Sequence, residues 1–257
     1  MSVNSYLQTL GGELVLCTTE HDKIKTSVDT IKFRLSYYFG TTVTEKKVFG
    51  SYDRGTILPR KVDSCSDVDL MVVFDNPYEY QPQTFLNKLK AFAETYYSRS
   101  EIYQSSPTIV LELNHIMFEL VPAYKQYGCY YIPDGPVKWT FTDTDGLKKT
   151  VVDSNINNGY KVKPVIRLIK HWNIQKNKRD LPSYLLEKRV ADNLMYAYLS
   201  CTSYSEYVLG ALNAIKYSTD YSAVDKAISI VDEALNLESH NMPYSALAKI
   251  KEAFPEI

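Results

Sequence analysis

The fold is decided by two stretches of sequence, Phe49-Gly50-Ser51-Tyr52-Asp53-Arg54-Gly55-Thr56 and, ten residues further on, Asp67-Val68-Asp69-Leu70-Met71-Val72-Val73-Phe74. The first stretch ends the segment Thr42–Phe49, whose composition predicts a strand. The apolar run Asp69–Phe74 predicts a second strand that is buried on both faces. A strand, a Gly-Ser turn and a strand that opens with two aspartates therefore follow one another along the chain.

The two aspartates at the start of the second strand indicate a metal site. Asp67 and Asp69 stand two residues apart on a strand, so their side chains point to the same side. Carboxylates that close repel each other unless a cation neutralises them, and hard oxygen ligands suit Mg²⁺ or Mn²⁺. The turn Gly50-Ser51 can offer backbone N–H groups and a hydroxyl to a phosphate. Each feature alone is common in solvated turns, and the specificity lies in their combination and order.

The same residues resemble a known family. Gly50-Ser51, Arg54-Gly55-Thr56 and Ser66-Asp67-Val68-Asp69-Leu70 are similar to the signature of the polymerase-β-like nucleotidyltransferase superfamily. The resemblance implies an enzyme that moves a nucleoside monophosphate from an NTP to a hydroxyl and releases pyrophosphate. It also implies two Mg²⁺ ions, with Mn²⁺ as an alternative, one on the donor phosphates and one on the acceptor hydroxyl.

In that superfamily a later strand carries a third carboxylate. The segment Ile116–Ala123 is similar to this strand, and Glu119 stands where aspartate is usual. A glutamate keeps the charge but is one methylene longer. The resemblance therefore implies that Asp67, Asp69 and Glu119 are the catalytic residues and the metal ligands. The alternative for Glu119 is a carboxylate at a strand edge that faces solvent.

The second half of the chain has a different periodicity. Apolar residues recur at helical spacing in residues 162–172, 181–199, 204–215, 223–235 and 244–253. The polar stretch 134–159 is rich in turn residues and predicts a bridge between the halves. We therefore predict an α/β (α+β) fold, a bilobed nucleotidyltransferase. Its mixed-sheet catalytic lobe spans residues 1–159, and a helical lobe, residues 160–257, closes an NTP cleft.

Two helical segments carry a second resemblance. Val165–Asn173 and Leu181–Glu187 are similar to the helical lobe shared by oligoadenylate synthetases, cyclic GMP–AMP synthase and the bacterial cyclic-oligonucleotide synthases of antiviral defence. The resemblance implies that Lys170 and Ser183 hold the donor triphosphate together with Gly50-Ser51. It also implies that the ring of Tyr184 stacks on the donor base.

The chemistry of these three residues supports the same roles. Lys170 supplies a point charge for phosphate oxygens. Ser183 follows a proline at a predicted helix start, where anions bind well. The ring of Tyr184 can stack on any base. The alternatives are that Lys170 lies on a solvated helix face and that Ser183 is only an N-cap.

The resemblance favours a second-messenger product, either a cyclic di- or trinucleotide or a short linear oligonucleotide. The main alternative is an enzyme that modifies a macromolecule, by addition to a tRNA end or by toxin-type NMP transfer to tRNA or protein. A nucleotide-binding pseudoenzyme is a third class, which the departure at Glu119 leaves open.

The charge balance bears on the partners of the protein. The 29 Lys and Arg residues and 30 Asp and Glu residues give a net charge of −1, which favours small NTP substrates and gives no strong sign of duplex nucleic-acid binding. Apolar runs too short for a membrane span, an N-terminus unlike a signal peptide and four well-separated cysteines predict a cytoplasmic protein with no membrane partner. An activating or effector protein partner stays open.

Overall fold

The computed structural model describes residues 1–76, 78–105, 107–192, 200–216 and 222–257. The chain divides into two compact units. Unit 1 comprises Met1–Val15, Gly55–Asp63 and Leu147–Ile257, and unit 2 comprises Leu16–Arg54 and Ser64–Gly146. Residues 1–15 and 55–63 thus group with the C-terminal helices. The division of roles into a catalytic and a closing lobe at residue 159 stays a prediction.

Unit 2 is built on a mixed sheet of seven strands: β1 (Val43–Phe49), β2 (Asp67–Phe74), β3 (Glu101–Ser105), β4 (Thr108–Glu112), β5 (Met117–Gln126), β6 (Cys129–Asp134) and β7 (Lys138–Thr142). The strand order is β1-β2-β5-β4-β3, and β6 extends from β5 and pairs with β7. The pair β2–β5 is parallel and the other pairs are antiparallel. The predicted mixed sheet is confirmed.

Apolar side chains cover both faces of β2, as its unbroken apolar run predicts. The ring of Phe74 packs against Phe39 and Phe85, with ring centroids 5.1 and 4.7 Å apart. Met71 and Val73 point to the opposite face and form a second cluster there with Ala123. The helices of this unit are α2 (Thr18–Phe39), the short α3 (Gly50–Arg54) and α4 (Pro82–Tyr96).

Unit 1 is helical. Its helices are α1 (Val3–Glu13), α5 (Thr144–Asn157, in this unit from Leu147 onward), α6 (Val162–Lys176), α7 (Ser183–Asp192), α8 (Tyr204–Lys216), α9 (Ser222–Ser239) and α10 (Pro243–Ala253). They share one apolar core in which Trp172 is among the largest fully buried side chains. Within the described ranges, no helix has the length and apolarity that a bilayer span requires.

The predicted helices of the second half are confirmed as far as they are described. Residues 193–199 of the helix predicted at 181–199 lie outside the described residues. The stretch 134–159, predicted to bridge the halves, does contain the boundary between the two units, after Gly146, but it is folded into β7 and α5 and is not a run of turns. Trp139 packs on Tyr124 and so fixes β7, and Leu147 and Val151 are the buried apolar residues of a mostly polar α5. β7 and α5 thus each bury only a few apolar residues, and the rest of their sequence is polar.

Candidate active site

The Gly-Ser turn forms the start of α3, immediately after β1. Gly50 has φ +73°, in the left-handed region that favours glycine. A Cβ atom at Gly50 would lie only 1.7 Å from Oδ2 of Asp69. Glycine is therefore required twice over, for the backbone angle and for the close approach of the carboxylate. Unit 2 brings the predicted phosphate-binding turn, Gly50-Ser51, to the aspartate of β2.

The three predicted metal ligands lie on two neighbouring strands. Asp67 and Asp69 are half-buried on β2, and Asp69 is the register partner of Glu119 on the parallel strand β5. Register partners point to the same face of a sheet, so the three carboxylates share one face. Because β5 lies between β2 and β4, Glu119 is not at a sheet edge. Glu119 is therefore not the solvent-facing carboxylate at a strand edge that the alternative interpretation describes.

The environment of Glu119 disfavours its charged form. Burial, reinforced by the negative charge of Asp67, raises the pKa of Glu119 from 4.5 to about 7, while a hydrogen bond with Thr108 works in the opposite direction. A carboxyl group whose pKa is raised in this way loses its proton when a cation binds beside it, because the cation stabilises the charged form. The electrostatics are those of a site that a divalent ion would stabilise.

The donor set fits Mg²⁺ or Mn²⁺ in chemistry. Three carboxylates on one face supply the hard oxygen ligands that these ions prefer. In the described part of the chain, no three His, Cys, Asp or Glu side chains converge closely enough to enclose an ion. Ligation of one ion by all three carboxylates would therefore require their side chains to reorient. The roles of Asp67, Asp69 and Glu119 as ligands stay a prediction.

We expect the metal-free protein to lose stability as the pH rises through the pKa of Glu119. Its pKa of about 7 lies above the ordinary value of 4.5, so the folded protein keeps a proton that the unfolded chain releases. The stabilisation is complete below pH 4.5 and is lost as the pH rises through about 7. It amounts to at most about 3 kcal/mol, less any solvent screening.

Melting temperatures measured in a chelator from about pH 5 to about pH 8 check this expectation. The melting temperature of the wild type should fall more steeply than that of Glu119→Gln, whose amide has no proton to release. Parallel profiles for the two proteins would contradict the raised pKa.

Lys170 lies in unit 1, where α6 places it in the interior. It is 5% exposed, so it does not lie on a solvated helix face. Its Nζ donates to Oε1 of Glu187 at 3.2 Å and to the carbonyl of Thr56 at 3.1 Å. The hydroxyl of Thr56 donates to Oε2 of Glu187 at 2.7 Å. A buried carboxylate thus already pairs the charge of Lys170, and the predicted phosphate contact stays a prediction.

Ser183 and Tyr184 form the first turn of α7, directly after Pro182. Both are exposed, and the side chain of Tyr184 is 57% exposed, so its ring is available for a base to stack on. Glu187 follows one turn later on the buried face of the helix. The structure therefore places the two predicted nucleotide contacts next to the partner of Lys170.

Two functional candidates were missing from the sequence prediction. Glu187 lay within the quoted segment but had no assigned role; its signal is a carboxylate flanked by the buried Leu186 and Val190. Asn173 is the second. Its side chain donates to the carbonyl of Leu181 at 2.8 Å, and its carbonyl accepts from Arg179 N at 2.9 Å. Asn173 thereby fixes the loop that leads into α7.

A mixed sheet that sets carboxylates beside a Gly-Ser turn is the arrangement that the sequence predicts for a nucleotidyltransferase. Residues 1–155 match the family described as the Second Messenger Oligonucleotide or Dinucleotide Synthetase domain. The chain belongs to this family, and the predicted class of enzyme is confirmed.

Individual proteins agree with this assignment. The chain is 26% identical to a "Probable cyclic nucleotide synthase" of Bacillus cereus strain VD146, over 80% of each chain. It is 24% identical to the cyclic AMP-AMP-AMP synthase of an Acinetobacter species, over 86% of this chain and 74% of that one. The solved structure of E. coli MS115-1 CdnC with ATP has a TM-score of 0.76 at 12% identity and covers 100% of this chain and 99% of its own. This last likeness shows the fold.

Proposed function

We propose that this protein joins NTPs into a cyclic oligonucleotide that serves as a second messenger. One observation carries the proposal. Asp69 and Glu119 are register partners on parallel strands, and the carboxylate of Asp69 lies against Gly50 of the Gly-Ser turn. The family match over residues 1–155 supports an oligonucleotide product. The names of the two relatives support a cyclic one.

The proposed reaction is a phosphoryl transfer. A ribose hydroxyl of one nucleotide attacks the α-phosphorus of an NTP, and a new P–O bond forms. The bond to the β-phosphate oxygen breaks, pyrophosphate leaves with the electron pair, and the hydroxyl proton passes to solvent. Repeating the step within the linear product closes the ring. No oxidant or reductant is needed.

The residues of this chain bind and orient the reactants. Asp67, Asp69 and Glu119 are proposed to hold two Mg²⁺ ions, which when bound supply Lewis-acid polarisation of phosphate and hydroxyl oxygens. In unit 2, the backbone of Gly50-Ser51 is proposed to bind phosphate groups of the NTP; in unit 1, the hydroxyl of Ser183 is proposed to bind phosphate as well. A charge-paired Lys170 is less suited to that contact than an unpaired lysine. Two of the three N–H groups of its Nζ already donate to Glu187 and to the carbonyl of Thr56, which leaves one for a phosphate.

The stacking of the donor base on the ring of Tyr184 is the proposed contact that is simplest to measure. Tyr184→Ala should weaken the binding of a non-hydrolysable NTP by about 1–3 kcal/mol, because the base loses an aromatic face. Stacking involves no ion, so the loss should hardly change with salt. Isothermal titration with Mg²⁺ present, at low and high salt, measures both.

Tyr184→Phe is the matched control for this prediction. It keeps the ring and should bind the NTP nearly as the wild type does. If Tyr184→Ala binds with wild-type affinity, the donor base does not stack on this residue.

The test of the proposed function separates a small product from a modified macromolecule. Purified protein is incubated with Mg²⁺ and four α-³²P-labelled NTPs, alone and with tRNA. The proposal predicts pyrophosphate release without tRNA and label in nucleotide-sized products. Label that enters tRNA or the protein itself would support the macromolecule-modifying alternative. No consumption of any NTP would contradict the proposal and would support a nucleotide-binding pseudoenzyme.

A role in antiviral defence and a regulatory protein partner are finer proposals. They rest on the resemblance to bacterial defence synthases. Phage plaque counts on cells with the wild-type protein and with Asp67→Asn would test the first, since a catalytic role requires that only the active enzyme protects.

A further inference from the structure

A buried hydrogen-bonded group in unit 1 joins three segments that are distant in sequence. We call it the Thr56 network: Thr56 in the segment Gly55–Asp63, Lys170 on α6 and Glu187 on α7. Glu187 is 0% exposed and its two carboxylate oxygens accept from different donors, Oε1 from Lys170 and Oε2 from Thr56. The network therefore closes into a ring, because Lys170 also donates to the Thr56 carbonyl.

Gly55, the residue before Thr56, also accepts a hydrogen bond from a side chain of α6. Nη1 of Arg167, one turn before Lys170 on α6, donates to the carbonyl of Gly55 at 2.9 Å. Two side chains of α6 thus donate hydrogen bonds to two consecutive carbonyls, in the segment that follows α3 in the sequence. Arg167 and Lys170 are both buried, so each donor is desolvated and its direction is fixed.

A buried carboxylate that accepts from several donors tolerates little displacement, because every misplaced donor leaves a buried polar atom unpaired. Glu187 stands one helical turn after Ser183 and Tyr184. Its position along and around the axis of α7 therefore sets the direction in which these two exposed side chains point. An apolar residue at position 187 would pack in the core but would not set that direction as sharply.

We propose that Glu187 is a positioning residue for nucleotide binding, and that Lys170 and Thr56 act through it. The ring of hydrogen bonds holds the first turn of α7 in the orientation that the donor nucleotide requires. This inference rests on the proposed function. It gives Lys170 a role in the support of the donor pocket.

The test uses a pair of variants at Thr56, which leave both charges of the network in place. Thr56→Val has nearly the same shape but lacks the hydroxyl that donates to Glu187, and Thr56→Ser keeps it. We expect Thr56→Val to raise KM for the NTP by about tenfold with a much smaller change in kcat, because binding geometry is lost while the carboxylate face of β2 is untouched. Thr56→Ser should restore most of the loss in KM.

A second variant controls for lost stability. Ile250 is fully buried on α10 in the same unit and outside the network. Ile250→Val should lower the melting temperature by a few degrees, as Thr56→Val should, but without the rise in KM. The measurements are steady-state pyrophosphate release with the NTP that the wild type consumes fastest, and thermal melting of each variant.

The outcomes separate the two proposals. If the wild type releases no pyrophosphate from any NTP, the proposed function fails. If the wild type is active and Thr56→Val behaves like Ile250→Val, with a lower melting temperature and an unchanged KM, the network only stabilises the fold and the positioning role is wrong.

Discussion

The double variant Asp67→Asn/Asp69→Asn should fold normally and release pyrophosphate at least about a thousandfold more slowly than the wild type. The reason is geometric. Both side chains lie on β2, and Asp69 is in register with Glu119, so removing the two charges removes most of the negative charge of that face. Asparagine keeps nearly the same shape and lacks the charge that holds a divalent ion.

Folding should be retained because the repulsion falls. Asp67 contributes to the raised pKa of Glu119, so its neutralisation makes the face less strained when no metal is bound. The metal-free double variant should melt at or above the temperature of the metal-free wild type. Mg²⁺ should raise the melting temperature of the wild type and leave that of the double variant unchanged.

The matched control for this variant is Asp75→Asn, which removes an exposed carboxylate just beyond the end of β2. It should keep wild-type turnover and the wild-type response to Mg²⁺. If the double variant keeps its turnover in Mg²⁺, these aspartates are not the metal ligands and the assignment of the site is wrong.

Lys170→Ala should lower the free energy of unfolding by about 3–5 kcal/mol, because it removes the positive charge that Nζ of Lys170 places 3.2 Å from the buried carboxylate of Glu187. The pair Lys170–Glu187 is almost wholly inaccessible to solvent, with side-chain exposures of 6% and 0%. Denaturant unfolding measures the loss. A solvated lysine would cost far less, since exposed ion pairs contribute at most about 1 kcal/mol.

Lys170→Met/Glu187→Met distinguishes a missing partner from a missing contact. It removes both charges at similar volume, so it should be more stable than Lys170→Ala, although two hydrogen bonds of Thr56 are lost. If Lys170→Ala instead unfolds like the wild type, weakens NTP binding ten- to a hundredfold and reduces the salt sensitivity of binding, then Lys170 is a direct phosphate ligand. That result would contradict the buried pair.

The residues that could be predicted from the sequence are those with local signals. The apolar run of β2, the aspartates two apart and the Gly-Ser turn all lie within 26 residues, from Phe49 to Phe74, and their geometry follows from strand periodicity. The position of Glu119 followed from the resemblance, and the parallel pairing of β2 with β5 placed it beside Asp69.

Other features depend on contacts that no local pattern reveals. The helix α1 packs through four apolar positions, Val3, Tyr6, Leu7 and Leu10, but its partners lie far along the chain; Tyr6, for example, donates to the carbonyl of Phe254. The strand β7 hides little apolar surface, so its sequence looks like a loop. Composition alone gave no means to distinguish it from one.

The buried ion pair of Lys170 is another feature that the sequence alone does not reveal. From the sequence, a lysine on a helix is interpreted as a ligand or as a solvated residue. Only the fold shows that Lys170 pairs in the interior with Glu187, 17 positions later. Long-range pairing of this kind depends on how α6 and α7 pack, which the period of neither helix specifies. The sequence therefore suggested candidate residues for the donor pocket but not the buried contacts beneath them.

Mass spectrometry of the products formed from the four NTPs and Mg²⁺ tests the central claim most directly. Products are treated with phosphatase before analysis, since a cyclic oligonucleotide has no terminal phosphate and is unchanged by it. The account predicts a phosphatase-resistant product with the mass of two or more nucleoside monophosphates joined with loss of one water for each bond, formed by the wild type and not by Asp67→Asn/Asp69→Asn. NTPs recovered intact, or a product formed equally by the double variant, would contradict it.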